Sequence, residues 1–391
     1  MTELKEQNQL NRRQFVKLCT GASLMVWQAK ALSATQLLST NNTSKKIVWV
    51  VLRGALDSLH TIVPTFAPEL KTLRPKLSTS YKSELLALDN GFALHPALTN
   101  LHAWYKNKQL APVVAVGSGY GARSHFDGQD YLESGKPRID HDSGWLARAI
   151  DIKNKKALAI AHSTPISLRS SEQVSTWYPS KLKESKEDIY QQLGKLYRDD
   201  EELSARLQEG LETKRLAEMD MGGDKKQNGK FKDLTAACAK LLIAEHGADC
   251  AMLELGGWDT HNNQEARLNR QLTELDQGLA ILKDGLGDTW QNTVVIVATE
   301  FGRTVRENGT GGTDHGTGSG LFIAGGAVKG GQVLGQWPGL ADHQLFKQRD
   351  LMPTTNSFSW FANVLEHHWG FNQSELLKVF PEVALYPKQL V

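Results

Sequence analysis

The stretch 294–319, VVIVATEFGRTVRENGTGGTDHGTGS, is a hydrophobic run that stops at Glu300 and passes into a glycine-rich loop carrying Asp314 and His315. From Thr293 to Thr299 every residue is β-branched or small and apolar, the composition of a strand buried on both faces of a parallel sheet. It predicts an α/β fold in which a mainly parallel central sheet is sandwiched by helices. A carboxylate just past such a strand stands at its carboxyl end, the edge where ligands collect in open α/β sheets. The plainer reading pairs Glu300 with Arg303 and lets the glycines do no more than turn the chain.

Working outward, further apolar runs at 47–52, 112–117, 157–161 and 250–255 predict companion strands. The first leads into Arg53-Gly-Ala-Leu-Asp57, which brings a second carboxylate to the same edge, with a helix N-cap as the alternative for Asp57. The second leads into Arg123-Ser124-His125, where Ser124 reads either as a nucleophile or as the N-cap of a helix through Tyr131. The run at 250–255 leads into Trp258-Asp259-Thr260-His261, and Asp-x-His is either a grip for one divalent metal or a plain hydrogen-bonded pair. Acids and imidazoles gathered at one edge repel or desolvate one another, and divalent cations relieve that.

Helical stretches are predicted at 94–106, 143–150, 232–245 and 265–286. Between 163 and 230 charge becomes dense and apolar residues recur at helical spacing, which predicts a helical insertion within a domain spanning 47–391.

The 391 residues are 40% hydrophobic and 23% charged, as expected of a folded domain with a sizeable core. Residues 1–31 hold five cations against two carboxylates, so without them the formal charge falls from +2 to −1. That gives no electrostatic case for nucleic-acid binding. Asn11-Arg-Arg-Gln-Phe-Val-Lys17, an apolar segment to Trp27 and Ala29-Lys30-Ala31 resemble a twin-arginine export signal with a cleavage site. The apolar run is too short for a permanent membrane anchor, and 32–46 reads as a solvated leader. These features predict a periplasmic or secreted protein handled by the twin-arginine export machinery. Cleavage after Ala31 leaves Cys238 and Cys250, which an oxidising compartment could join as a disulfide.

The twin-arginine leader, Leu52-Arg-Gly-Ala-Leu-Asp-Ser-Leu, Arg123-Ser-His-Phe-Asp, Gly256-Gly-Trp-Asp-Thr-His, Glu300-Phe-Gly-Arg-Thr and Gly312-Thr-Asp-His-Gly together resemble the bacterial family known as domain of unknown function 1501. That family is grouped with the alkaline-phosphatase-like superfamily, which also holds sulfatases and metal-dependent phosphomutases. The resemblance implies that Asp57 is an acid shared between metals and that Ser124 is the nucleophile. It further implies that Glu254 and Asp259 share the spacing of a metal-site strand and that His261 or Asn263 completes one shell. Glu300 and His315 look like ligands, with Asp314 orienting His315. Phe301 stands where phosphatases place a histidine ligand, and His125 is the substitute. Arg123 and Arg303 become candidates to bind an anionic group, against surface salt bridges as the plain reading.

The function these features imply is that of an exported hydrolase of a small phosphate or sulfate ester, with a one- or two-metal site of Zn, Mg, Ca or Mn. The alternative is a non-catalytic binding or assembly protein of the same fold, serving a co-exported protein partner.

Overall fold

The computed structural model describes residues 44–179, 187–218, 229–385 and 389–391. The export signal and most of the leader lie outside the described residues.

The core is an eight-stranded sheet in the order β11-β5-β10-β9-β1-β8-β6-β7. Its strands are β1 (Lys46–Leu52), β5 (Leu110–Gly117), β6 (Ala157–Ala159), β7 (Val174–Thr176), β8 (Cys250–Leu255), β9 (Thr293–Thr299), β10 (Ser319–Ala324) and β11 (Thr355–Asn356). All pairings are parallel except those of β10, which runs against both β9 and β5. The three central strands show why their sequences are unbroken apolar runs. On β1, Val48, Val50 and Leu52 enter one hydrophobic layer, whereas Ile47, Trp49 and Val51 enter the other. Both faces are covered by helices, so alternation with polar residues is lost. One layer includes residues of the helices Phe231–Ile243 and Gln264–Leu286, the other residues of Trp145–Lys153 and Ser357–Trp369.

Strands β1, β8 and β9 occupy the positions their sequences predict. Other elements depart from expectation. The helix expected from 94 begins at Thr99, because Phe92–Leu94 is β4 of a small antiparallel sheet with β2 (Ile62–Pro64) and β3 (Leu86–Ala87). The segment 163–230, read as one helical insertion, also holds, ahead of its described α-helices, the 3-10 turn Ile166–Leu168 and the edge strand β7, whose three residues are too few to show a period. Its described helices are Glu187–Leu196 and Glu201–Glu218. Cys238 and Cys250 are buried free thiols rather than a disulfide. Among the described residues no helix is long and apolar enough to cross a membrane.

The carboxyl edge is what positions the site. Arg53 follows β1, Ser118 follows β5, Gly256 follows β8 and Glu300 follows β9. Because β10 is reversed, its first residue Ser319 meets that same edge, and the loop 300–318 leaves and returns there. Gly54 takes φ 120°, and a Cβ at this position would stand 2.6 Å from the Asp259 nitrogen, so only glycine allows the two loops this approach.

Candidate metal centre

Three imidazoles and one carboxylate converge above the ends of β5, β8 and β9. His125 is the first residue of the helix His125–Ser134, His261 and Asp259 lie on the loop after β8, and His315 lies on the 300–318 loop. Asp259 Oδ1 is 3.0 Å from His261 Nε2, 3.2 Å from His315 Nε2 and 3.5 Å from His125 Nε2. His315 Nε2 is also 3.0 Å from His125 Nε2 and 2.9 Å from His261 Nε2.

The other nitrogen of each ring has a different partner. His125 Nδ1 donates to Glu300 Oε1 at 2.7 Å, His261 Nδ1 to Asp314 Oδ1 at 3.1 Å and His315 Nδ1 to the Arg123 carbonyl at 3.0 Å. Carboxylates and carbonyls only accept, so each Nδ1 carries the proton and each neutral Nε2 presents a lone pair. Three lone pairs pointed at one carboxylate oxygen are mutually repulsive unless a cation stands among them. The spacing of His125, His315 and Asp259 fits one: ligand atoms at 2.0–2.1 Å from a tetrahedral ion lie about 3.3–3.4 Å apart. Oxygen acceptors behind ligating histidines are the usual means of fixing tautomer and aim.

Electrostatics follow the same layout. Burial opposes charge on His125, but the hydrogen bond to Glu300 and the nearby carboxylates outweigh it and raise its pKa. His315 is lowered, by burial first and then by the charge of His125. Burial would raise Asp259, yet Arg303, whose Nη1 donates to Asp259 Oδ1 at 2.6 Å, holds it low. Burial would also raise Glu300, but its hydrogen bonds, that from His125 largest, keep it below the usual carboxylate range.

The sequence-derived residues separate into those inside this cluster, those that hold it and those elsewhere. Asp259, His261, His315 and His125 are inside, with His125 as the substitute for the histidine that is absent at Phe301. Phe301 is buried and stacks on His125 with centroids 4.9 Å apart, forming an apolar wall. Glu300 and Asp314 do not reach the cluster centre as ligands; they accept from His125 and His261. Glu300 also accepts from Gly54 N at 2.8 Å and Gln129 Nε2 at 3.1 Å. Asp314 bonds to His261, not to His315.

Asp57 stands apart. Its buried carboxylate is gripped by Arg74 Nη1 at 2.9 and 2.8 Å, accepts from Gln264 Nε2, and caps His60 N at 3.2 Å. The N-cap alternative describes it, and the expected bridge between two metals is replaced by an internal ion pair. Glu254 turns to Arg53 at 2.6 Å, while Asn263, with φ 44°, opens the helix Gln264–Leu286. Ser124 N-caps the helix His125–Ser134, its Oγ accepting from Asp127 N at 3.5 Å. Arg303 has no exposed side-chain surface and is held between Asp259 and Thr313, and Arg123 donates to buried Asp350 at 2.6 Å. Neither arginine is a free surface cation. Among the described residues, His125, Asp259 and His315 are the one group whose ligand atoms all lie within 4.8 Å of one another, and His261 stands beside them, against Asp259 and His315.

Sequence reasoning did not single out Arg74, Gln264 or the Arg123 carbonyl. A positive φ of 61° at Arg123 turns that carbonyl toward His315, and nothing in a non-glycine sequence signals such a backbone.

The chain is similar to several solved structures. A structure described as a 2-O GAG sulfatase shares 7% identity at TM-score 0.40, over 74% of this chain and 66% of the other. This chain thus spans just under two thirds of that one. Alkaline phosphatase from the Antarctic bacterium TAB5 shares 12% identity at TM-score 0.35, over 72% of this chain and 92% of the other. A murine ectonucleotide pyrophosphatase/phosphodiesterase 5 shares 12% identity at TM-score 0.32, over 66% and 57% of the two chains. No curated protein matches. The sequence model that does match spans residues 44–379 and includes all four converging side chains, and by it the chain belongs to the family described as protein of unknown function, DUF1501.

Proposed function

We propose that this chain is an exported, metal-dependent hydrolase of a phosphate or sulfate ester. The observation that carries the reading is the convergence of three Nε2 atoms on Asp259 while every Nδ1 is committed to an oxygen. His125, His315 and Asp259 would hold one divalent cation, with His261 beside them, and the imidazole-rich set favours zinc over magnesium, calcium or manganese. When bound, such an ion supplies Lewis-acid polarisation of an ester oxygen.

The chain's own groups would do the rest. Arg303 holds Asp259 in place, and Phe301 keeps water from one side of His125. Ser124 lies at the N-terminus of the helix His125–Ser134, whose free backbone N–H groups favour an anionic oxygen. Its Oγ is proposed to form the bond to phosphorus or sulfur as the ester oxygen departs and takes a proton. Water then releases the inorganic anion and restores the hydroxyl. The twin-arginine-like leader supports delivery to the periplasm or beyond by that export machinery.

The test is purification of the chain, metal analysis and assay on 4-nitrophenyl phosphate and sulfate beside Asp259→Asn and Ser124→Ala. The reading expects a bound metal, turnover of one ester and loss of both activity and metal in Asp259→Asn. Absence of turnover with metal bound would overturn it, and full activity in Ser124→Ala would remove the nucleophile.

A binding or assembly role is the second reading, favoured by the engagement of Asp57 with Arg74. It expects no turnover and recovery of a co-exported protein partner with the native chain.

A further inference from the structure

Next to the metal centre, on the same sheet edge, the ends of β1, β8 and β6 surround a cavity of about 360 Å³ to which the proposed chemistry assigns nothing. We infer that this cavity is a subsite for a polyhydroxylated, sugar-like portion of the substrate, an inference that rests on the reading of the chain as an ester hydrolase.

The lining supplies fixed acceptors and donors in pairs. Arg53 donates from Nε to Glu254 Oε2 at 2.6 Å, from Nη2 to Glu133 Oε1 at 2.7 Å and from Nη1 to Gln129 Oε1 at 2.9 Å. Glu133 is buried and also accepts from Ser167 N at 3.0 Å, so the guanidinium is held rigidly. Glu254 and Asp130 line the cavity, and 34% and 30% of their side chains are exposed.

A vicinal diol matches such an array, since each hydroxyl gives one proton to a carboxylate and accepts one from a guanidinium. Charge argues against a second anionic group. Glu133, Glu254 and Asp130 outnumber Arg53 and Arg169, and Arg169 is tied to the carbonyls of His141 and Thr164. One wall is apolar, with Ile160, Pro165 and the ring of His162, which packs on Tyr178 at 3.8 Å between centroids. Apolar walls with a few placed polar groups are the usual build of a small-molecule site, and 360 Å³ is near the lower end of their sizes.

The cavity is also connected to the centre. Gln129, which accepts from Arg53, donates to Glu300 Oε1 at 3.1 Å, and Glu300 accepts from His125. A group seated against Arg53 is therefore two hydrogen-bonded side chains from His125, the reach of one ester's alcohol portion.

The test compares the wild-type chain with Thr164→Trp, which fills the cavity, and with Ser163→Trp on its exposed rim as a second variant should the first not fold. Substrates are glucose 6-phosphate and 6-sulfate against the 4-nitrophenyl esters, with glucose and galactose binding followed by NMR titration. The subsite predicts higher kcat/KM for the glucose esters, about a tenfold loss on them in the filled variant, no change on the nitrophenyl esters, and sugar binding that the filled variant loses. Turnover of all esters with both variants unchanged would overturn the subsite and leave the hydrolase standing. If no ester is turned over the hydrolase reading fails, and the titration alone then decides: saturable sugar binding lost in the variant keeps the subsite, and absence of binding ends it.

Discussion

The Nε2 atoms of His125 and His315 stand 3.0 Å apart, although each ring already donates its Nδ1–H to an oxygen, of Glu300 and of the Arg123 carbonyl respectively. Two neutral rings so placed oppose each other, and only a proton or a metal ion between them makes the arrangement favourable. From this contact follows the first prediction.

Removing a converging group should abolish stoichiometric metal binding, whereas removing a group behind it should weaken binding. His315→Ala and Asp259→Asn are expected to copurify without metal. Glu300→Gln should bind about 10–100-fold more weakly, the usual effect of losing the acceptor behind a ligating histidine. Calorimetric titration of the metal-stripped chain with zinc checks both; equal affinity in Glu300→Gln would show that His125 needs no such support.

Asp57 and Arg74 form a pair with 1% and 2% of their side chains exposed. Arg74→Met leaves the carboxylate buried without its counter-charge, and the expected loss is about 3–5 kcal/mol in urea unfolding. Metal stoichiometry should not change, because the pair lies outside the cluster. A loss of metal in a folded Arg74→Met chain would return Asp57 to the site.

Phe301 sits at 2% exposure against His125 and His315. Phe301→Ala should cost about 3–5 kcal/mol and also lower metal affinity, since His125 loses the wall that fixes its ring. Phe301→Leu, which keeps most of the volume, should restore the larger part of both.

Acid should destabilise the fold through histidines remote from the centre. Burial pushes His60 down to about 3, and His95 and His368 down to about 4, against roughly 6.5 in the unfolded chain. The unfolded state therefore takes up protons first as pH falls. Their contribution is complete above about pH 6.5 and is lost progressively toward pH 4. His368 packs near the start of β1, its Nε2 donating to the Lys46 carbonyl at 3.0 Å. In His368→Gln the fall in thermal stability between pH 7 and pH 5 should be shallower than in wild type, as read by scanning calorimetry.

What sequence could reveal here depended on range. The central strands are legible because burial on both faces makes them continuous apolar runs, and their ends locate the edge where His315, Asp259 and His261 gather. β10 was not legible: Ser319-Gly-Leu-Phe-Ile-Ala follows a glycine-rich loop and gives no sign of its reversed direction. Asp57 and Glu300 both read as strand-end acids, yet one faces Arg74 and the other backs His125. That difference is set by a few ångströms of side-chain placement and by a partner 17 residues away in one case and 175 in the other. Residue type shows that an acid is present; only packing decides what it faces.

The reversed direction of β10 carries a consequence in time as well as space. Since β9 and β10 are joined through the loop that bears His315, that part of the centre can be shaped by a local hairpin closure. His125, by contrast, arrives from 190 residues away in sequence and Asp259 from 56. Closures of that length are slow steps, so the complete set of four side chains is a late product of folding. The pairing of β1 with β9 itself spans 247 residues, so metal uptake should accompany formation of the central strands during refolding and act as a latch on the sheet as it closes.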